Sequence, residues 1–309
     1  MRLERFIAGR KIIAVICILW LCNSCSSGGT NESEVSLENG TVHISVDETF
    51  KPVIDSQIQV FESSYPDAHV VVHYKPEADC LQDFAVDSIK MVIATRGYTE
   101  NEEQFIFDSL GVSPSKMVIA KDAIAVVIHP GAADSLFTMD EIKSLLLGTY
   151  QKKLLPVLDG VSATSTVRFV IDSVLKGQAL SSVVKAARSS QEVVDYVAKT
   201  PNAVGFIGVS WIGNKEDSTQ LSYLKKVKVA QIESIKEQDK FVSPAQYNIY
   251  YRRYPMVRDL VYVLKEKGQG VAHGFAYFLG GQRGQLIFKR AYLMPVLMGF
   301  NVRNASLRE

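Results

Sequence analysis

Apolar and polar residues alternate along this 309-residue chain in two recurring patterns. Short β-branched runs predict strands, and segments in which apolar residues recur every three to four positions predict helices. In the first part of the chain, the predicted strands cover residues 41–46, 70–74, 91–94, 117–120 and 123–128, and the predicted helices cover residues 53–65, 81–89 and 100–110. This alternation indicates an α/β protein with helices on the faces of a sheet.

A second unit of the same kind begins after the turn at residues 129–131. Thr138 and Glu141 form a capping box, which predicts a helix that begins there and ends near Gly148. Residues 189–192 predict another capped helix. The remaining pattern predicts strands at residues 154–158, 204–209, 225–232 and 259–264 and helices at residues 167–175 and 271–279.

Residues 162–166, Ser-Ala-Thr-Ser-Thr, place small hydroxyl side chains between a predicted strand and a predicted helix. The first backbone N–H groups of a helix have no partner inside it, and the positive end of the helix dipole lies there. Such a junction suits a bound oxyanion. When the turn is considered alone, an ordinary serine or threonine cap explains the same residues.

Residues 1–24 have the pattern of a secretory signal peptide. Four basic residues lie within residues 2–11, the apolar run 12–22 follows, and small residues precede Cys25. A basic start, a short apolar stretch and a small-residue site are typical of such signals. The apolar run is too short for a permanent membrane span.

The pair Ser24-Cys25 resembles a bacterial lipobox, although Cys22 stands where leucine is usual. The resemblance implies cleavage before Cys25 and attachment of a lipid such as palmitate to it. An ordinary signal peptide or an uncleaved anchor is the alternative. Residues 25–39, which are polar and small after the cysteine, predict a flexible tether. Export would place the protein in the cell envelope, facing the periplasm or the cell surface.

The net charge argues against a nucleic-acid-binding protein, and the cysteine content argues against a fold stabilised by disulfides. The whole chain has 34 basic and 33 acidic residues, and removal of residues 1–24 leaves 30 and 32, a net charge of −2. Nothing in that balance favours nucleic acid as a partner. Of the four cysteines only Cys80 remains after processing and lipidation at Cys25, so the exported part has no internal disulfide and is stabilised by its core.

Several motifs in one order resemble the phosphate-binding lipoproteins of bacterial phosphate ABC transporters. They are residues 41–50 (TVHISVDETF), 91–96 (MVIATR), 121–127 (KDAIAVV), the capped helix 138–148, the hydroxyl turn 162–166, the glycine-containing strand 203–208 (AVGFIG) and the turn 254–258 (YPMVR). The resemblance covers roughly residues 40–300.

This resemblance implies a type II periplasmic-binding-protein fold, with two α/β lobes joined by two crossover segments and a ligand cleft between them. Lobe 1 would be discontinuous, with residues 40–122 and 245–309, and lobe 2 would comprise residues 123–244. The crossovers would lie near residues 121–124 and 241–246. The implied function is capture of inorganic phosphate, or a related tetrahedral oxyanion, for an ABC permease in the inner membrane. The protein would be a monomer without a cofactor and would not be an enzyme.

In the family, three loops supply the anion site. By position, the resemblance carries these roles to residues with hydroxyl, carboxylate or guanidinium side chains: Asp47, Glu48 and Thr49 in the first loop, Thr95 and Arg96 in the second, and Thr164, Ser165 and Thr166 in the third. Hydroxyl and backbone N–H groups there would donate to the oxyanion.

The chain departs from the family pattern at two positions. Arg96 stands where the family has an aspartate that accepts the proton of hydrogen phosphate, and the arginine that precedes the third loop in the family is missing. We interpret Arg96 as the relocated cationic anchor, because a guanidinium holds tetrahedral oxyanions well. On this hypothesis Arg96→Ala abolishes anion binding. The acceptor role passes to Asp47, Glu48 or Asp159, and the sequence leaves these alternatives open.

Two other readings compete with the receptor. The same fold can serve as a structural or protein-interaction module on a lipoprotein, and the two departures keep this alternative open. A hydrolase is disfavoured because no nucleophile–base arrangement is recognisable. The histidines lack the spacing of metal ligands. His69 and His73 share one face of a predicted strand and are expected at the surface.

Overall fold

The computed structural model describes residues 37–160, 162–214, 216–265 and 270–299 of the chain. The predicted signal peptide, Cys25 and most of the predicted tether lie outside these residues. None of the helices inside the described ranges is both long enough and apolar enough to cross a membrane.

Thirteen strands are formed by the described residues, ten of them in one mixed sheet and three in a small second sheet. In chain order they are β1 (Gly40–Asp47), β2 (Ala68–Lys75), β3 (Ile89–Ala94), β4 (Ser115–Ile128), β5 (Leu136–Phe137), β6 (Leu155–Leu158), β7 (Lys185–Ala186), β8 (Ala203–Gly208), β9 (Lys228–Val229), β10 (Gln231–Glu233), β11 (Phe241–Val242), β12 (Val257–Leu264) and β13 (Met294–Pro295).

The helices lie between these strands. In chain order they are α1 (Lys51–Ser64), α2 (Glu77–Gln82), α3 (Glu100–Leu110), α4 (Met139–Leu146), α5 (Ser165–Phe169), α6 (Ser190–Lys199), α7 (Ser218–Lys226), α8 (Gln246–Tyr250), α9 (Val271–Gly280) and α10 (Gln282–Arg290). Short 3-10 turns cover Glu48–Phe50, Asp83–Ala85 and Val209–Trp211, and α5 continues into a wider turn over Val170–Val174.

Strand β4 links two halves of the large sheet, whose order is β2-β1-β3-β12-β4-β8-β6-β7. The first part of β4 pairs with β12, as far as Ala123 opposite Val257, and its last part pairs with β8, from Ile124 opposite Gly208. We call β2, β1, β3 and β12 the first half-sheet, and β8, β6 and β7 the second half-sheet. The change of partner falls inside residues 121–124, where the resemblance implies one crossover.

Each half-sheet is covered by apolar cores on both faces, because successive side chains of a strand point to opposite sides. Val42, Ile44 and Val46 of β1 enter a core with α1, α9 and α10, and a second core around Phe84 covers the opposite face. The second half-sheet lies between two cores. Phe206 of β8 belongs to one of them, and the next residue, Ile207, belongs to the other. This layering confirms the α/β architecture.

The predicted helix caps are confirmed. The Thr138 side chain accepts from the backbone N–H of Glu141, and the Glu141 side chain accepts from the backbone N–H of Thr138. Gly148 has a φ of 72°, the left-handed conformation that glycine adopts readily after a helix. The Ser189 side chain caps α6 in the same way as the threonine caps α4.

The structure differs from the sequence pattern at three places. Residues 117–120 and 123–128 belong to the single strand β4, because its pairing with β12 continues through residues 121–123. The predicted edge strand 225–232 is only partly correct: α7, capped by Asp217, extends to Lys226, and the short strands β9 and β10 follow it. The helix predicted over residues 81–89 ends early, because Ile89 pairs with β1 as part of β3.

Candidate functional site

The hydroxyl turn 162–166 lies between β6 and α5, against the first half-sheet. Thr164 is the N-cap residue of α5, and its hydroxyl accepts from the backbone N–H of Val167 at 3.2 Å. Thr164, Ser165 and Thr166 are buried. Ala163 has a φ of 70°, a left-handed conformation that a non-glycine residue rarely adopts. At this turn, the beginning of α5 lies next to the loop that follows β1 of the first half-sheet.

The loop after β1 meets this turn. The carboxylate of Asp47 accepts the backbone N–H of Thr49 at 3.0 Å and so caps the 3-10 turn that follows. The Thr49 hydroxyl lies 3.4 Å from the hydroxyl of Ser165. The indole N–H of Trp211, just after β8, donates to the carbonyl of Thr49 at 2.8 Å. Two of the three predicted loops are thus brought together although 116 residues separate Thr49 from Ser165.

A buried arginine lies beside both loops. Arg258 of β12 donates through Nε to the carboxylate of Asp122 in β4 at 2.9 Å, and its Nη2 atom lies 2.8 Å from the same carboxylate. Through Nη1, Arg258 donates to the Ser165 hydroxyl at 2.9 Å. Its side chain is only 2% exposed and that of Asp122 is fully buried. We call Asp47, Thr49, Asp122, Asp159, Thr164, Ser165, Thr166 and Arg258 the buried cluster.

Arg258 was not among the sequence-predicted site residues. The sequence does place it in the turn 254–258 that resembles the family, but that turn gives no sign that its arginine lies near the hydroxyl turn. Strand β12 pairs with β4 so that Arg258 lies opposite Asp122. This pair is next to residues 123 and 124, where β4 changes its pairing partner from β12 to β8. Only this pairing brings the guanidinium between the two half-sheets.

The structure also places the three candidate acceptors. Asp159 accepts from the hydroxyls of Thr164 and Thr166 at 3.0 and 3.1 Å. Glu48 is partly exposed. Asp47 is buried close to the Ser165 hydroxyl, which partly offsets the rise that burial causes in its pKa, and its Oδ2 atom, like Oδ1 of Asp122, has no hydrogen-bond partner among the described residues. Because buried polar atoms are nearly always paired, an unpartnered carboxylate oxygen indicates a missing donor.

Burial raises the pKa values of the cluster's carboxyl groups and of the neighbouring Glu48. It raises the pKa of Asp47 to about 6, against the opposing effect of Arg258. Burial, with the added repulsion of Asp159 and Asp47, raises the pKa of Glu48 to about 7. The pKa values of Asp122 and Asp159 are raised by burial in the same way, again opposed by Arg258. The cluster therefore holds protons that the unfolded chain releases at lower pH.

We expect the stability of the ligand-free protein to fall as the pH rises from about 5 to 8. Between the ordinary and the raised pKa values of Asp47 and Glu48, the folded protein binds more protons than the unfolded chain, so the free energy of unfolding decreases with pH. Below about pH 4.5 the trend reverses, since the pKa values of Glu77 and Glu102 are lowered in the folded state. Urea denaturation from pH 4 to 8 measures this, and Asp47→Asn should flatten the decline. Stability that increases steadily from pH 5 to 8 would contradict the expectation.

The second predicted loop is engaged by residues that sequence reasoning missed. The backbone N–H of Thr95 donates to the carboxylate of Glu77 at 2.9 Å, and Nε of Arg168 donates to the same carboxylate at 2.5 Å. Burial favours protonation of Glu77, but the bonds from Arg168 and Thr95 outweigh it and lower the pKa of Glu77. The backbone N–H of Ala78 also donates to the carbonyl of Ala163 at 3.0 Å. These bonds join α2 to the hydroxyl turn and α5.

Arg96 does not join the buried cluster. Its guanidinium donates to both carboxylate oxygens of Glu102, at 2.7 and 3.0 Å, and its side chain is 32% exposed. Glu102 belongs to the capping box of α3, so the pair is fixed by the helix that follows β3. These contacts favour Arg258, which lies between the half-sheets, over Arg96 as the cationic anchor.

We expect Arg96→Ala to weaken anion binding by less than about threefold and to lower the free energy of unfolding by at most about 1 kcal/mol, because a partly exposed ion pair contributes little. Calorimetric titration with phosphate and urea denaturation measure the two effects. Arg188→Ala, which breaks the exposed pair with Glu192, is the matched control. Complete loss of binding in the Arg96 variant alone would return the anchoring role to that residue.

The histidines take no part in the site. His73 is half-buried and forms a 3.1 Å hydrogen bond with His43 on the neighbouring strand, so its predicted surface position is only partly correct. Across the described ranges, no group of three or more histidine, cysteine, aspartate or glutamate side chains is arranged to hold a metal ion.

The sequence profile of the PBP superfamily domain matches residues 31–282, and the chain belongs to this superfamily. A structure of a phosphate ABC transporter substrate-binding protein from Clostridium perfringens, with bound phosphate, is similar to it at 18% identity and a TM-score of 0.69, over 83% of this chain and 100% of that one. The match to an ABC-type phosphate transport receptor from Vibrio cholerae has 14% identity and a TM-score of 0.61, over 82% and 99% of the two chains.

The fold of PstS from Borrelia burgdorferi is also similar, with 18% identity and a TM-score of 0.53 over 83% of this chain and 99% of that one. No curated protein sequence matches the chain. These similarities confirm the type II periplasmic-binding-protein fold that the sequence motifs predicted.

Proposed function

We propose that the protein is a receptor that captures phosphate, or another protonated tetrahedral oxyanion, and delivers it to an ABC permease. One observation carries the proposal: the hydroxyl turn, the loop after β1 and the guanidinium of Arg258 converge on Ser165 between the two half-sheets. The relatives support it, since the similar Clostridium perfringens structure contains bound phosphate.

The convergent groups have the chemistry that an oxyanion needs. Arg258 supplies a fixed positive charge, and a charge-assisted hydrogen bond contributes about 1.5–3 kcal/mol. Ser165 already accepts a hydrogen bond from Arg258, which leaves its own proton for another acceptor. The first backbone N–H groups of α5 and the hydroxyl of Thr49 add further donors. Anion binding here would involve no covalent step.

Among the three candidate acceptors, we assign Asp47 as the group that receives the proton of the ligand. Both oxygens of Asp159 are occupied by threonine hydroxyls, and Glu48 has a pKa raised to about 7, so much of it is protonated at neutral pH. Asp47 has a pKa raised only to about 6 and an unpartnered oxygen inside the cluster. An ionised acceptor favours hydrogen phosphate over sulfate, which has no proton to donate.

We further propose that the two lobes close on the ligand and that the Glu77–Arg168 pair holds them together. The boundaries of these lobes, residues 40–122 with 245–309 and residues 123–244, remain part of the proposal. So do the lipid on Cys25, the membrane location in the cell envelope and the monomeric state.

The test is calorimetric titration of the full chain, purified in detergent, with phosphate and with sulfate as the competitor. Tight binding of phosphate that excess sulfate does not displace is the expected result. Equal binding of both anions would replace the phosphate receptor by a general oxyanion site. No heat with either anion, from protein shown to be folded by circular dichroism, would refute the receptor function.

A second candidate, a structural or protein-interaction module, is favoured by one feature of the buried cluster. Asp159 accepts the hydroxyl hydrogens of Thr164 and Thr166, so two of the predicted donors are satisfied within the protein. Asp159→Ala separates the candidates. It frees both hydroxyls and should strengthen phosphate binding in a receptor, whereas a module would bind no phosphate in either form.

A further inference from the structure

Helix α10 is amphipathic, and its outward side is basic. Its buried residues are Gly284, Gln285 and Phe288, which pack toward the core. The opposite side of the helix exposes, at a spacing of three or four positions, Arg283, Leu286, Lys289 and Arg290. No acidic residue belongs to the helix. A basic amphipathic helix at a protein surface is typical of a segment that lies on a membrane.

Large apolar side chains are exposed among these cations. Leu286 is 46% exposed, and Tyr277 on the preceding helix α9 is 65% exposed. Arg283 lines two cavities, one of about 420 Å³ that includes Tyr277 and one of about 700 Å³ that includes Leu286. We call Tyr277, Arg283, Leu286, Lys289 and Arg290 the basic face. Tyrosine is frequent at the headgroup level of a bilayer, and leucine enters the boundary of the acyl chains.

The acidic residues next to the basic face do not cancel its charge. Glu38 and Glu216 line the two cavities, one in each. Glu216 lies 3.7 Å from Nε of Arg290, but the two side chains are 79% and 73% exposed, so water screens the pair. Arg283 donates to the hydroxyl of Ser64 at 3.0 Å, which orients the guanidinium without neutralising it. Three cations therefore face two acids, and each arginine keeps N–H donors that suit phosphate oxygens.

The chain enters the described fold beside the basic face. Leu37 is the first described residue, and it lines the smaller cavity together with Tyr277 and Arg283. Its carbonyl lies so close to Gly274 of α9 that a Cβ atom there would collide with it. If Cys25 carries the proposed lipid, residues 25–36 span at most about 40 Å even in a fully extended chain. The segment that leads to the proposed anchor therefore begins at the basic face.

We infer that the basic face binds the surface of an anionic phospholipid membrane. The cations of α10 would contact the headgroup phosphates, which attract lysine and arginine side chains near the bilayer. Leu286 and Tyr277 would enter the headgroup level between them. This inference rests on the proposed envelope location and is independent of the phosphate site. A lipid alone tethers the protein, whereas a second contact at the basic face also fixes its orientation on the membrane.

The experiment measures the rate at which Lys289 is acetylated in the full chain, reconstituted onto preformed vesicles of phosphatidylcholine. Addition of about 30% phosphatidylglycerol should slow the acetylation of Lys289 by about fivefold or more, because the headgroups then cover its ammonium group. This protection should disappear in about 0.5 M NaCl, since salt screens the attraction between exposed charges. Lys153 is the internal control, because it is exposed in the turn before β6 of the second half-sheet. Its acetylation rate should be the same in both kinds of vesicle.

Two double variants test whether α10 makes the contact. Arg283→Gln with Arg290→Gln should reduce the protection of Lys289 to about twofold or less and leave the phosphate affinity, measured by calorimetric titration, unchanged. Lys185→Gln with Arg188→Gln removes two exposed cations of the second half-sheet and should leave the protection intact.

Equal acetylation of Lys289 in both kinds of vesicle would overturn this inference and leave the receptor function intact. Equal protection of Lys153 and Lys289, or equal effects of the two double variants, would also overturn it, because the attraction would then not belong to the basic face. Protection of Lys289 in a folded protein that binds no phosphate would support this inference and refute the receptor function.

Discussion

Arg258→Ala should lower the free energy of unfolding by about 3–5 kcal/mol and abolish phosphate binding. The substitution leaves the buried carboxylate of Asp122 without its partner and removes the only cation in direct contact with Ser165 among the described residues. Removal of one partner of a buried ion pair lowers the free energy of unfolding by much more than the intact pair adds to it, because the remaining charge stays buried without a partner. Urea denaturation and calorimetric titration measure the two losses.

A double-mutant cycle separates the stability effect from the binding effect. Arg258→Ala with Asp122→Ala should be less destabilising than the two single changes added together, because neither charge is then left alone. Arg258→Lys should remain folded and bind phosphate weakly, since an ammonium group cannot contact Asp122 and Ser165 in the same forked geometry. Undiminished phosphate affinity in this lysine variant would remove Arg258 from the binding site.

Asp47→Asn should change the ratio of phosphate to sulfate affinity by about hundredfold in favour of sulfate. The amide oxygen of the asparagine can still accept the backbone N–H of Thr49. Its amide nitrogen then takes the place of the unpartnered Oδ2 atom and is an N–H donor. Sulfate then faces a donor instead of a negative charge, and hydrogen phosphate loses its acceptor. Calorimetric titration of each anion at neutral pH gives the ratio.

Two matched variants test whether this effect belongs to Asp47. Glu48→Gln and Asp159→Asn replace the neighbouring carboxyl groups with amides and should each change the ratio by less than about threefold. The assignment fails if Asp159→Asn produces the large change instead, because Asp159 would then be the acceptor of the ligand's proton.

The regular elements could largely be predicted from the sequence because their determinants are local. The capping box of Thr138 and Glu141 and the alternation of β1 act over a few residues, and both are confirmed. The first residues of the edge strand predicted over residues 225–232 are helical for a nonlocal reason. Tyr223 and Val227 pack into the core beneath β4 and β8, and this packing extends α7 through residues whose alternation suggested a strand.

The candidate site could be predicted only in part. The family resemblance predicts positions 47–49 and 164–166, and the structure brings these two loops together at Thr49 and Ser165. The family pattern predicts Arg96 as the anchor, because it replaces an aspartate of the family while the arginine before the third loop is missing, but Glu102, six residues later, holds it. Arg258 was missed because its nearest hydroxyl partner is 93 residues away in the chain.

The sequence by itself determined the α/β architecture, the family and the two loops that carry hydroxyl groups, because period, capping and short motifs are local properties. Only the tertiary structure decided which cation lies between the half-sheets and which carboxylate oxygens, those of Asp47 and Asp122, are left without a donor. Both depend on the pairing of β12 with β4 and of β4 with β8, which places Arg258 beside Asp122 and the hydroxyl turn. Burial at that junction then sets the charge and protonation of the site, and burial is a property of the folded molecule.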